Sequence, residues 1–101
     1  MAVTRTTLAL LALALSAGTA LPALAGPIDK ACSTSAGKPR TCACIQSVAD
    51  QMLTRDDQRL VASFFKDPDR AQEVRTSDTA RDESFWQRYR QFGFAAEQSC
   101  G

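Results

Sequence analysis

The sequence predicts a small all-α domain stapled by disulfides, a bundle of about three to four helices behind a removable export signal. Three observations predict it. Apolar residues recur at helical spacing from residue 41 to 92, and no run alternates with the period of two that a strand requires. Threonine and aspartate stand at the heads of those stretches, where they cap helices. All four cysteines, Cys32, Cys42, Cys44 and Cys100, lie beyond the first 25 residues. An even count in a short exported chain reads as a disulfide framework.

Residues 1–25 have the three-part pattern of a secretory signal. Arg5 supplies the positive start, Leu8 to Leu15 the short apolar run, and Ala23-Leu24-Ala25 the small residues a signal peptidase reads. Cleavage is expected between Ala25 and Gly26. A membrane anchor fits less well, because Pro22 interrupts the segment and a spanning helix needs roughly 20 apolar residues. No cysteine follows the cleavage point to take a lipid, and no Arg-Arg pair points to twin-arginine export. The expected product is a single domain over residues 26–101, without a membrane span, periplasmic or secreted.

Arg5 is the only charge removed, so basic and acidic residues of the remaining segment are equal in number. That balance argues against a nucleic-acid partner, which calls for clustered positive charge. It also removes the case for electrostatic attachment to anionic lipid. A domain this small rarely gains enough stability from its core alone, which gives the disulfides their importance.

Gly26 to Cys32 is compatible with one helical turn, since Pro27 suits a first helical position. Ser33 to Pro39 reads as a loop. Thr41 is expected to cap a helix that carries Ile45, Val48, Ala49 and Met52 on one face. Thr54 opens the next helix, with Asp57 three residues on as an acidic form of the capping box. Its apolar face is Leu60, Val61, Phe64 and Phe65. The residue before a proline is pushed out of helical geometry, so Asp67-Pro68 ends this helix near Phe65 or Lys66. Asp67 then caps a short helix to about Arg75 that offers only Ala71 and Val74 to a core. The last helix is expected to start within Thr76-Ser77-Asp78-Thr79 and to carry the stripe Phe85, Trp86, Tyr89 and Phe92. Gly93 costs about 1 kcal/mol relative to alanine inside a helix, so a kink or a stop is expected there.

Cys42 and Cys44 are separated by one residue, which on a helix turns them about 200° apart. They are therefore expected to bond to different partners, leaving Cys32 and Cys100 as destinations. Sequence does not decide which takes which; the reading leans to Cys32–Cys44 with Cys42–Cys100. The alternative for Cys42-Ala43-Cys44 is thiol–disulfide exchange, in which a neighbouring thiol resolves a mixed disulfide. The spacing lacks the paired CxxC knuckle of a zinc site, so no metal and no cofactor is expected.

The chain contains no histidine, which removes the commonest general base and the common catalytic triads. Its acidic pairs, Asp56-Asp57, Asp67/Asp69 and Asp82-Glu83, all fall at helix starts, where capping and the helix dipole account for them. No enzyme activity is expected. The segment Phe85 to Phe92 is richest in residues that recognise partners, because Trp, Tyr and Arg dominate binding hot spots. Phe85, Tyr89 and Phe92 are assigned to the core. Trp86, Arg88 and Arg90 remain as the candidate binding patch, with Arg70, Arg75 and Arg81 as possible extensions. The partner, protein or small molecule, and the oligomeric state are not legible.

Three stretches together carry a resemblance: Cys42-Ala43-Cys44-Ile45-Gln46, Phe64-Phe65-x-Asp67-Pro68-x-Arg70-Ala71-Gln72, and Phe85-Trp86-x-Arg88-Tyr89-Arg90-x-Phe92-Gly93, closed by Cys100. This pattern resembles a group of short exported bacterial proteins often labelled "arginine transporter", across nearly all of residues 26–101. A segment with no spanning stretch forms no membrane path by itself. The resemblance therefore implies an accessory to arginine uptake, and it transfers no binding residue. The leading expectation is a non-enzymatic binding or interaction module.

Overall fold

A computed structural model describes residues 25–101; the expected signal, apart from Ala25, lies outside them. Among the described residues there are five helices and no strands: α1 (Pro27–Thr34), α2 (Pro39–Met52), α3 (Arg55–Lys66), α4 (Pro68–Arg75) and α5 (Ala80–Cys100). Helix α1 lies against α2 and α3, α4 bridges α3 and α5, and α5 returns along α2. Their common core holds Ile28, Ala49, Leu53, Val61, Phe64, Val74, Phe85 and Phe92.

Three of the expected caps are present. Thr54 Oγ1 accepts from the Asp57 N–H at 3.1 Å, and the Asp57 carboxylate reaches back to the Thr54 N–H at 3.4 Å, a reciprocal capping box. Asp67 ends α3 and caps α4, accepting from the Asp69 N–H with Pro68 in the first turn. Thr79 caps α5 through the Asp82 N–H at 3.1 Å.

Other expectations need correction. Helix α1 spans eight residues, where a single turn was expected. Helix α2 starts at Pro39, with Lys38 as an N-cap that makes no side-chain bond, so Thr41 lies inside the helix and caps nothing. Proline's fixed φ and missing N–H suit that first position, and they set the start ahead of the threonine. Helix α5 runs through Gly93 without a stop, with buried Phe92 and half-buried Ala96 packed on the core on either side of it. Met52 and Phe65, expected on apolar faces, sit exposed in the last turns of their helices.

The disulfides are Cys32–Cys42 and Cys44–Cys100, with Cα atoms 5.6 and 5.8 Å apart. This corrects the Cys32–Cys44 and Cys42–Cys100 pairing. The physical reason is the face of α2 that each cysteine occupies. Cys42 is buried toward α1, and half-buried Cys44 points to the end of α5. The turn between α1 and α2 makes the first bond possible. It is a Schellman closure: the Gly37 N–H donates to Cys32 O at 2.9 Å and the Ala36 N–H to Ser33 O at 3.3 Å. A Cβ on Gly37 would fall 2.6 Å from both sulfurs, so only glycine fits against this bridge. Ala36 takes the left-handed position of the motif at φ 70°, a place where glycine is preferred.

A polar network crosses the opposite end of α1. Gly26, its N-cap, has no side chain to offer, and Gln46 from α2 supplies the cap instead. Gln46 Oε1 accepts from the Ile28 and Asp29 N–H groups at 2.9 and 3.0 Å. Its Nε2 donates to Asp50 Oδ1 and to Gln58 Oε1. Gln58 Nε2 in turn donates to Asp50 Oδ1 and Leu53 O, which joins α3 to the end of α2. Both glutamines are buried, and each has partners for its amide oxygen and nitrogen. Gly26 must be small because a Cβ there would overlap the Gln46 amide.

Candidate functional site

Along α5 successive residues turn by 100°, which separates the members of the sequence-predicted patch. Arg88 turns toward α3. Its Nε and Nη2 donate to Asp57 Oδ2 and Oδ1, both at 2.9 Å, a two-pronged pair between residues 31 apart in sequence. Nη1 donates to Ser84 Oγ at 3.0 Å. The Arg88 hydrogen bonds hold the Asp57 carboxyl below its usual range; burial opposes them, and the Thr54 N–H assists. Asp57 in turn raises the Arg88 guanidinium.

Trp86 is half-buried, its ring 5.0 Å from Tyr89, on the edge of an aromatic cluster. Tyr89 is the centre of that cluster, with Phe64 at 5.4 Å, Phe85 at 5.8 Å and Phe92 at 6.3 Å. Burial pushes its phenol pKa up. Arg90 is exposed on the solvent side beside Gln87, Gln91 and Phe94. The structure therefore does not gather Trp86, Arg88 and Arg90 into one site.

What it does gather is a crevice of about 360 Å³ between α3, α4 and α5. Leu60 and Phe85 form its apolar floor. Arg70 enters from α4, and Arg81 and Arg88 from α5; Asp56 and Asp57 face them from α3, with Asp82 beside them on α5. Arg88 and Asp57 satisfy each other. The rest are loosely held: Arg70 pairs with Glu73 at 3.1 Å and Asp56 with Arg59 at 2.8 Å, both exposed neighbours on their own helices. Such pairs contribute about 0.5 kcal/mol or less, so a ligand competes with them at little cost. Arg70 and Arg81 are suited to a carboxylate, and Asp56 and Asp82 to a cationic group.

Sequence reasoning placed Arg70 and Arg81 as extensions of an arginine face but missed Asp56 and Asp82, read only as helix-start charges. The spacing of Arg81, Phe85 and Arg88, four and then three residues, was the available signal for one helical face. Arg75 does not line the crevice.

No free cysteine occurs among the described residues, and Cys42 and Cys44 belong to different bridges. Among the same residues no cluster of acidic or sulfur side chains is arranged to hold a metal ion, and no helix is long and apolar enough to cross a membrane. Comparison with protein-family models, curated proteins and solved structures finds no match to this chain.

Proposed function

We propose that this chain is an exported, non-enzymatic binding module whose ligand seats in the α3–α4–α5 crevice. One observation carries the reading: side chains of both charges, from three helices, converge over an apolar floor with Arg88 already fixed by Asp57. The Asp57–Arg88 pair ties α3 to α5 across the crevice, while Arg70, Arg81, Asp56 and Asp82 are left to meet a ligand. Two closed disulfides are compatible with an oxidising compartment outside the cytoplasm.

The ligand class follows from the charges left over. A carboxylate meets Arg70 and Arg81 while a cationic group on the same molecule meets Asp56 or Asp82. Free arginine has this chemistry, which gives the arginine-uptake expectation its concrete form: an accessory that holds the solute, with no path of its own. Titration calorimetry of the oxidised protein with L-arginine is expected to give heat of binding. Arg81→Glu, on an exposed position of α5, is expected to abolish that heat and leave the helical circular dichroism unchanged. Absence of heat with the wild type rejects arginine as the ligand. Affinity capture from periplasmic extract tests the module itself: Arg81→Glu is expected to lose partners that Arg90→Ala retains. Identical capture by both variants and the wild type rejects the crevice.

A further inference from the structure

The two disulfides differ in how far solvent reaches them. Cys32 and Cys42 are 5% and 0% exposed, and a Cβ on the neighbouring Gly37 would fall 2.6 Å from either sulfur. That bridge is sealed by backbone. Cys44 and Cys100 are both half-buried, and a hollow of about 220 Å³ opens onto them. Arg40 lines the same hollow and makes no ion pair among the described residues. It stands four residues before Cys44, on the same face of α2. Little besides this bridge holds the last two turns of α5. Phe92 is the last buried residue of the helix; Gly93, Ala95 and Ala96 are half-buried, and Phe94, Glu97, Gln98 and Ser99 are exposed.

We propose that the Cys44–Cys100 bridge is a thiol–disulfide exchange site, opened by a dithiol, that releases the end of α5 while the rest of the fold stays closed. A donor thiolate attacks Cys100 Sγ from the hollow and forms a new S–S bond to it. The Cys44–Cys100 bond breaks, and its electron pair leaves on Cys44 as a thiolate. This direction places the leaving charge beside Arg40, whereas Cys100 ends α5, where exposed carbonyls disfavour negative charge. The donor's second thiolate then attacks its own bonded sulfur and expels the Cys100 thiolate. Two protons from the donor pass through solvent to the cysteines. The donor ends as a disulfide, and the two electrons it gives up reduce the bridge. The freed Cys44 does not reshuffle onto the other bridge, because α2 turns Cys42 about 200° away from it.

Once open, the segment from Gly93 to Cys100 keeps Ala96 as its contact with the core, and Gly93 is its weakest helix former. These turns fray and uncover Ile45 of α2, which shares a seam with Gly93 and Ala96. Phe85, Phe92 and the Asp57–Arg88 pair hold the first half of α5, so the crevice is unaffected. The test treats the oxidised protein with dithiothreitol, alkylates free thiols at intervals and reads the labelled sites by peptide mass spectrometry. Cys44 and Cys100 are expected to label at least about tenfold faster than Cys32 and Cys42. Brief exposure to glutathione is expected to leave its adduct on Cys100. Arg40→Gln, at an exposed position, is expected to slow opening about threefold. In a Cys44→Ser, Cys100→Ser double variant, amide hydrogen exchange is expected to rise about tenfold or more over residues 94–100 and to stay as in the wild type over 42–92. Equal labelling of the two bridges, or earlier opening of Cys32–Cys42, overturns the proposal. So does an adduct on Cys44, an Arg40→Gln protein that opens as fast as the wild type, or a double variant whose exchange rises throughout the core.

Discussion

Replacing Gln46 with alanine is expected to destabilise the fold by about 3–5 kcal/mol, more than any single surface change. The figure comes from the bonds Gln46 makes. Its oxygen caps α1 through the Ile28 and Asp29 N–H groups, because Gly26 provides no side-chain cap. Loss of a helix cap costs about 1 kcal/mol. Its nitrogen is a buried partner of Gln58 Oε1 at 2.7 Å. Stranding that oxygen, at a residue only 4% exposed, costs about 1–3 kcal/mol. The void left by the amide adds about another 1 kcal/mol. Urea unfolding with both disulfides intact measures the change, and a small domain of marginal stability will feel it. Gln46→Glu separates the contributions. It keeps the acceptor for α1 but sets a second carboxylate beside Asp50, so its loss is expected to shrink on acidification. A change below about 1 kcal/mol for Gln46→Ala would show that water replaces the network freely, and would refute the capping role.

Asp57 has a lowered folded pKa, so the stability it contributes is present above its unfolded value of about 3.8 and is lost as pH falls through the folded value. Asp57→Asn is accordingly expected to weaken the protein at pH 7 by about 1–2 kcal/mol and to flatten acid denaturation below about pH 4, as read by circular dichroism. Ala36→Gly relieves the left-handed φ of 70° and is expected to raise stability by about 0.5–1 kcal/mol in denaturant titration. Gly93→Ala introduces a Cβ into open space within a helix and is expected to stabilise by about 0.5–1 kcal/mol, measured by urea unfolding with both disulfides intact.

Local signals were the legible part of the fold. Thr54, Asp67-Pro68 and Thr79 act on the backbone within three residues of themselves, so sequence alone places three of the five helix starts. The start of α2 was misread because Pro39 and Thr41 are both good openers, and a neighbouring turn shaped by Gly37 and the Cys32–Cys42 bridge favours the earlier one. Gln46 and Gln58 gave no signal at all. A glutamine on a helix ordinarily faces solvent, and its burial here depends on a helix 18 residues upstream. Arg88 was singled out for its type, yet its role was hidden in Asp57, 31 residues earlier. The crevice is non-local in the same way, its walls drawn from three helices that meet only in the folded chain.

The two cysteines of α2 also bear on how the protein is made. The native bridges join residues 10 and 56 apart; the exchanged pairing would join residues only two further apart in each case. Loop-closure entropy varies with the logarithm of length, so an unfolded chain has almost no preference between the two sets. What separates them is the half-turn of helix that sends Cys42 and Cys44 in opposite directions. A chain oxidised before α2 forms therefore draws its partners nearly at random, and must reshuffle by thiol exchange on a scale of seconds to hours. A chain oxidised after α2 forms finds each partner already facing it. Wherever an unfolded chain meets an oxidant, the yield of native protein becomes a race between a helix and a thiol.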